Sequence, residues 1–475
     1  MFGSGRTFIR GDKMSSTRKL GTIVRCSLLL VVGFLANVAF AVTLGTAHYV
    51  RAGATGAGSG TDWTNAYPSL PASLVRGDTY YVAAGSYGDL TLKDSGTTVT
   101  TILHPTTASH GTDTGWNDAY AGQAVWTSIT FNQSDYVIDG ATGGGPGSWG
   151  TGFGFKVQMP TSSGQSHAIG YGGSGTMSNI TLRHIDIQGR GRAYTGGDTD
   201  LIYLLSPYSN FTISYSYLHD TDRTMMLTWP SSGTGMTIEY SYFARNGVAE
   251  HREAWSLGPD SNVIVRYNIF EDIFGTGVLA AVNNTGTASN WQVYGNVMYW
   301  TGNYTDGIIN TGLIVMGCAP PSFCNQASGW QFYNNDIVNL VGGSFTAALE
   351  LEGTTTNVVC EDNIWYKNNT SSGPGPTGCG QATTADYNWF YGNSQNSTRG
   401  SHDVVGTANP FVNWQGGDWH LTTEIPGLIM AAPDIADALG NGLGTDGIWD
   451  RGAYQGTSVS ATKPAPPQAL TASVQ

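Results

Sequence analysis

Residues 250–273, EHREAWSLGPDSNVIVRYNIFEDI, gather Glu250, Glu253, Asp260, Glu271 and Asp272 with His251, Arg252 and Arg266, in a chain that is only 12% charged. Side chains of these types can do three kinds of chemistry. Two carboxylates can act as a general acid and a water-activating base on a glycosidic bond. A His or Arg beside them can take part in proton abstraction and charge stabilisation at a carbonyl-bearing carbon. Carboxylate oxygens can also hold a hard cation such as Ca²⁺, for which Glu250 and Glu271, with Glu253 and Asp272, are the candidate ligands. The bland alternative is an ion-pair ladder that only cancels charge. Which applies depends on the elements that carry these residues.

Those elements repeat. Seven segments align: ITLRHIDIQ from Ile180, FTISYSYLHD from Phe211, MTIEYSYFAR from Met236, VIVRYNIFED from Val263, WQVYGNVMYW from Trp291, WQFYNNDIVN from Trp330 and VVCEDNIWYK from Val358. Apolar residues alternate at period two in each, the mark of a half-buried strand. Between them lie further short apolar runs such as LIYLLS, MMLTW, EAWSL, VLAAV and AALEL. A β-only repeat of this length cannot bury its own inner face, but stacked coils can. The chain is therefore expected to be all-β, a single-chain right-handed parallel β-helix. The sixth position agrees: Ser216, Ser241, Asn268, Asn296, Asn335 and Asn363 align, and such side chains hydrogen-bond along a stack.

Stacking places the chemistry. Adjacent coils stand roughly 4.8 Å apart. The tenth position then stacks Asp220, Arg245 and Asp272, with His219 and Glu271 one residue earlier on their coils. The candidate catalytic residues are Asp220, Arg245, Glu253, Asp272, His219 and His251, and Arg223 and Arg252 are candidate substrate contacts. Two coils separate Asp220 from Asp272, roughly 9–10 Å, which suits an inverting glycoside hydrolase. Glu350 and Glu352 alternate in AALELEG and should face outward if Leu349 and Leu351 face inward, as solvated strand residues or as a second substrate-binding face. Trp255, Trp291, Trp300 and Trp330 read chiefly as core.

The N-terminus reads as a secretory signal over residues 1–41: Arg18, Lys19 and Arg25 precede an apolar run that ends in Ala39-Phe40-Ala41. Without it, 15 Lys+Arg stand against 33 Asp+Glu, a net charge of −18. Such a surface is a poor partner for nucleic acid or anionic lipid, and no later segment is apolar and long enough to span a membrane. The four remaining cysteines, Cys318, Cys324, Cys360 and Cys379, suggest two disulfides in an exported chain, with the pairing left open by sequence. Residues 456–475 are rich in Pro, Ala, Ser and Thr and read as a flexible tail after a β-helix over 42–455.

The chain resembles the pectin-lyase-like group of exported β-helix proteins. YVRAGATGAGSGTDWTNAYPSL with RGDTYYVAAGSYGDLTL resembles their N-terminal coil and cap, and ANPFVNWQGGDWHL with DRGAYQG resembles the closing segment of the choice-of-anchor type. More locally, Glu253, Trp255, Ser256, Asn262, Gly277 and Leu279 resemble a pattern of the alginate lyase and chondroitinase B lyases, with Gly258 at the place of their lysine and Val282 at that of their arginine. The resemblance implies a secreted monomer that cleaves or processes an extracellular polysaccharide, as a lyase or glycoside hydrolase. The alternative is a non-catalytic glycan-binding or adhesive surface protein. A possible Ca²⁺ is the sole cofactor expected.

Overall fold

The computed structural model describes residues 45–161, 164, 166–197, 199–229, 232–247, 252–281, 286–304, 313–316, 318–319, 323–342, 349–370, 378–391, 400–428 and 449–456. The expected signal, the tail beyond Gly456, and Glu250 and His251 lie outside the described residues.

Each coil contributes strands to three runs. The first run includes Met177–Arg183, Tyr208–Ser214, Thr234–Glu239, Ser261–Arg266 and Gly286–Tyr294. The second includes Phe155–Gln158, Ile185–Gln188, Tyr217–Thr221, Tyr242–Asn246, Ile269–Glu271 and Val297–Tyr299. The third is built of shorter pieces such as Asp200–Tyr203, Met226–Leu227, Trp255–Ser256 and Leu279–Ala281. Within each run neighbours pair in parallel and in register, for example Ile213↔Ile238↔Val265↔Val293. Sequence neighbours thus belong to different faces, and spatial neighbours are one coil apart. This is the parallel β-helix expected from the repeats, and no α-helix occurs among the described residues.

Period two decides which side chains go inside. Along the second run the eighth position of the repeat points inward, giving a buried column Leu218, Phe243, Phe270, Met298, Ile337, Trp365 and Phe390. Phe243 and Phe270 stack at 4.9 Å, and Trp291 and Trp330 at 4.5 Å in the first run. Trp255, Trp291, Trp300 and Trp330 are all buried, as their spacing suggested. Each such ring contributes about 2–3 kcal/mol by leaving water.

The corner between the first and second runs holds the Asn/Ser ladder. Asn268 donates through Nδ2 to Asn296 Oδ1, Asn296 to Asn335, Asn335 to Asn363 and Asn363 to Asn388, all at 3.0 Å. Above it, the backbone N–H of Ser216 donates to Ser241 Oγ, and that of Ser241 to Asn268 Oδ1. The residue before each rung is left-handed, as at Tyr215, Tyr240 and Tyr267, and Gly295 takes the same role with φ +65°. A second left-handed corner falls at Asp220, Arg245, Asp272, Asn339 and Lys367.

A disulfide joins Cys360 and Cys379, with Cα atoms 5.7 Å apart. Cys318 and Cys324 are register partners on an antiparallel strand pair. A terminal hairpin, Phe411–Asn413 with Asp418–Leu421, lies on the outward face of the later coils: Trp419 meets Tyr299 at 4.8 Å, and Phe411 meets Tyr366 at 5.7 Å. Asn334 Nδ2 donates to the carbonyls of Asp450 and Gly452, which pins the last described segment on the same side.

Candidate functional site

The outward face of the second run, before the hairpin covers it, carries a continuous charge network. It spans four consecutive strands. Lys156 Nζ bonds Asp186 Oδ2 at 2.9 Å. Asp186 Oδ1 lies 2.8 Å from His219 Nε2, and His219 Nδ1 lies 2.6 Å from Asp220 Oδ2. Arg245 closes the string with a bidentate pair to Asp220, Nε–Oδ1 2.8 Å and Nη2–Oδ2 2.9 Å, and donates to the Tyr217 hydroxyl at 2.7 Å. His219 is stacked on Tyr217 at 3.9 Å and its side chain is 8% exposed, against 27% for Asp220. One coil on, Glu271 accepts from the hydroxyls of Tyr242 and Tyr299.

Register explains why these residues meet. Asp186 pairs with Tyr217, and His219 with Ala244. Seventh- and ninth-position residues share the outward face at period two, so Asp186, Tyr217 and His219 come together across adjacent coils. Ala244 has no side chain long enough to cover the ring, which leaves room for Arg245 to turn back from its corner. The loop 140–154 borders this face, with Phe153 stacked 6.3 Å from Tyr217.

The electrostatics follow from the contacts. Burial pushes Asp220 upward, but its bonds to His219 and Arg245 outweigh that and hold it well below the usual carboxylate range. Asp186 is likewise held low, with burial overcome by His219 and then Lys156. The bond to Asp220 raises Arg245 further. Arg245 Nη2 also lies 3.3 Å from His219 Nδ1, so three side chains meet the two ring nitrogens. Burial, and then the Glu271 charge, push the Tyr242 and Tyr299 hydroxyls well above their ordinary value.

The structure divides the residues singled out from sequence. It brings Asp220, Arg245 and His219 together, with Glu271 on the same face. Asp272 does stack at the corner, φ +52° beside +60° at Arg245. Its carboxylate, however, is buried and takes the Thr301 N–H at 2.8 Å and hydroxyl at 2.7 Å. Burial, partly offset by Thr301, raises it above the usual range. The expected acid–base–acid ladder is thus an ion pair followed by a separately bonded carboxyl. Glu253 is not on an open polar shoulder: it is fully buried, with Oε1 3.3 Å from the Thr276 N–H and Oε2 3.5 Å from the Thr224 hydroxyl. Arg252 is also buried, and Arg223 pairs with Asp200 at 3.2 Å. Glu350 and Glu352 flank the buried Leu351 on their strand, the alternation expected, and are remote in the coil order from His219.

Lys156, Asp186 and Tyr217 are members of the network that sequence reasoning missed. Asp186 and Tyr217 stand at the seventh position, two before Gln188 and His219, and period two alone points them to the same side. Lys156 lies upstream of the first aligned segment. Among the described residues no group of three or more His, Cys, Asp or Glu is placed to hold a metal ion. Of the expected Ca²⁺ ligands, Glu271 accepts from both tyrosine hydroxyls through Oε2, and Glu250 lies outside the described residues.

No family model matches the chain, and no curated protein matches it by sequence. Among solved structures the chain is similar to pectate lyase Pel9A, with a TM-score of 0.49 and 12% identity over 86% of this chain and 96% of that one. It is also similar to the PL6-family alginate lyase AlyGC, with a TM-score of 0.37 and 12% identity over 77% of this chain and 58% of that one. A GH136 lacto-N-biosidase from Eubacterium ramulus aligns with a TM-score of 0.34 and 11% identity over 77% and 68%. At such identities the likeness concerns the path of the backbone, and the site rests on its own geometry.

Proposed function

We propose that this chain is an exported, carbohydrate-active β-helix protein that cleaves a polysaccharide laid across the second strand run. The observation that carries this reading is the half-buried string Lys156–Asp186–His219–Asp220–Arg245, which crosses four coils on an outward face. Its imidazole is fixed at both nitrogens and backed by a tyrosine ring. A face that runs along stacked coils suits a linear polymer. A rigidly oriented imidazole suits proton transfer to or from it. In this reading His219 moves the proton, Asp186 and Asp220 hold its ring, and Lys156 and Arg245 fix the two carboxylates. Tyr242 offers half-buried aromatic surface beside Glu271. The signal-like residues 1–41 and the Cys360–Cys379 disulfide support export.

A second reading, glycan binding without cleavage, is favoured by one feature: the ionisable groups of the string already satisfy one another. A polysaccharide panel, assayed with and without Ca²⁺, separates the two. Cleavage by elimination gives ultraviolet-absorbing products, and hydrolysis gives new reducing ends without that absorbance. His219→Ala is expected to lower either rate by about a hundred-fold or more. Cleavage that survives this substitution would remove His219 from the chemistry, and binding with no product would establish the second reading.

A further inference from the structure

We infer that the polysaccharide this face takes is uncharged. The inference rests on the reading above and names its substrate class. An anionic polymer such as a polyuronate needs cations whose charge is available to its carboxylates. On this face both cations of the string are already paired inside the protein. Lys156 is paired with Asp186, and Arg245 is held by both oxygens of Asp220. Three nearby cations are likewise paired, Arg183 with Asp139, Arg223 with Asp200 and Arg266 with Glu239, while Arg190 and Arg192, which follow Asp186 on its coil, bond the Pro160 and Asn246 carbonyls. Glu271 adds a further carboxylate, which accepts from two tyrosine hydroxyls. Taking Lys156, Arg245, Asp186, Asp220 and Glu271 together, two positive charges meet three negative ones, before the imidazole is counted. A sugar carboxylate that took Arg245 or Lys156 would strand Asp220 or Asp186 half-buried without its counter-ion, an outcome that costs more than the new pair gains.

The rest of the molecule points the same way. The whole chain carries a net charge of −13, so long-range attraction works against a polyanion. Neutral sugars need none of the missing charge. Their hydroxyls can donate to carboxylate oxygens, and their C–H faces pack on aromatic rings such as Tyr242.

The test measures binding and cleavage of neutral polymers (a β-glucan, a xylan, a galactomannan) and anionic ones (polygalacturonate, alginate, a chondroitin sulfate) at low and high salt. The wild type is expected to take a neutral polymer with little salt dependence and to leave the anionic ones. Asp220→Asn exposes Arg245, and Asp186→Asn independently exposes Lys156. Either variant, once its native circular dichroism is verified, is expected to gain roughly ten-fold or more in affinity for an anionic polymer, and to lose that gain in high salt. Tight, salt-sensitive binding of an anionic polymer by the wild type would overturn the inference while leaving a glycan-active face intact. No polysaccharide bound or cut would instead overturn the functional reading itself, and the inference with it. Two folded variants that gain nothing for anionic polymers would show that the pairs do not set charge selectivity, and would also sink the inference.

Discussion

Asp220 and Asp272 occupy equivalent corners two coils apart, yet their surroundings assign them opposite behaviour. Asp220 is ionised by its partners, and Asp272 is pushed toward the neutral acid by burial. Asp272→Ala is expected to cost about 1–3 kcal/mol of stability, because the Thr301 N–H and hydroxyl lose their acceptor. Turnover should stay within about three-fold of wild type, since the carboxyl is buried away from the string; a loss like that of His219→Ala would return Asp272 to the chemistry. The low values of Asp186 and Asp220 carry a sign. Groups depressed in the folded state stabilise it above the unfolded carboxylate value, about 4, and that contribution disappears as pH falls through the folded value. Carboxyl ¹³C shifts of these two residues should therefore remain those of the ionised form from neutral pH down past about 4. Titration of either near the ordinary value would mean that the string is not formed in solution.

At the scale of the coil, much was legible in the sequence because the fold repeats its demands. A buried corner that leaves backbone groups needing partners calls for an amide on every coil, so Asn268, Asn296, Asn335 and Asn363 stand out at one position. The period of two separated the inward column of Leu218, Phe243 and Phe270 from the outward residues. The site was only half legible. His219, Asp220 and Arg245 are conspicuous by type, whereas Asp186 sits in ITLRHIDIQ among scaffold residues and Lys156 belongs to a coil with no aligned repeat. The burial of Glu253 was not legible for a physical reason: the strand after it, Trp255–Ser256, is two residues long, too short for any period to say which side a neighbour faces. The ladder itself can be probed. Asn296 Nδ2 donates to the Val265 and Tyr294 carbonyls as well as to Asn335, while its Oδ1 accepts from Asn268. Asn296→Ala should cost about 3–5 kcal/mol in denaturant unfolding, as several buried groups lose partners together. A cost below about 1 kcal/mol would mean that water replaces the rung.

For the molecule as a whole, pH and the disulfide set the stability. Burial raises Asp260 to about 8 and Asp362 to about 8, the latter despite the Leu428 N–H and Arg451. Groups raised in the folded state bind protons that the unfolded chain has released. Their contribution is therefore full below about 4 and is lost progressively as pH rises through about 8. The melting temperature should fall between about pH 5 and 8, and Asp260→Asn should flatten that slope; a melting temperature that rises across the interval would contradict both assignments. The Cys360–Cys379 bond closes a loop with a sequence separation of 19, so Cys360→Ser should cost about 3 kcal/mol.

The corner ladder has one more consequence, for how such a chain can change length. Each rung bonds the next through the same side-chain type and nearly the same distance, and nothing in Asn296 distinguishes the coil above from the coil below. A whole coil, cut or duplicated between two rungs, presents matching ends. Growth by complete turns is therefore compatible with the scaffold, while a half-turn insertion must leave as a surface loop. The charged string lacks this freedom: its five residues follow one another in a fixed, non-repeating order, and a turn added between Ile185–Gln188 and Tyr217–Thr221 would part Asp186 from His219. The ladder is thus indifferent to length, whereas the coils where function is proposed to reside are not.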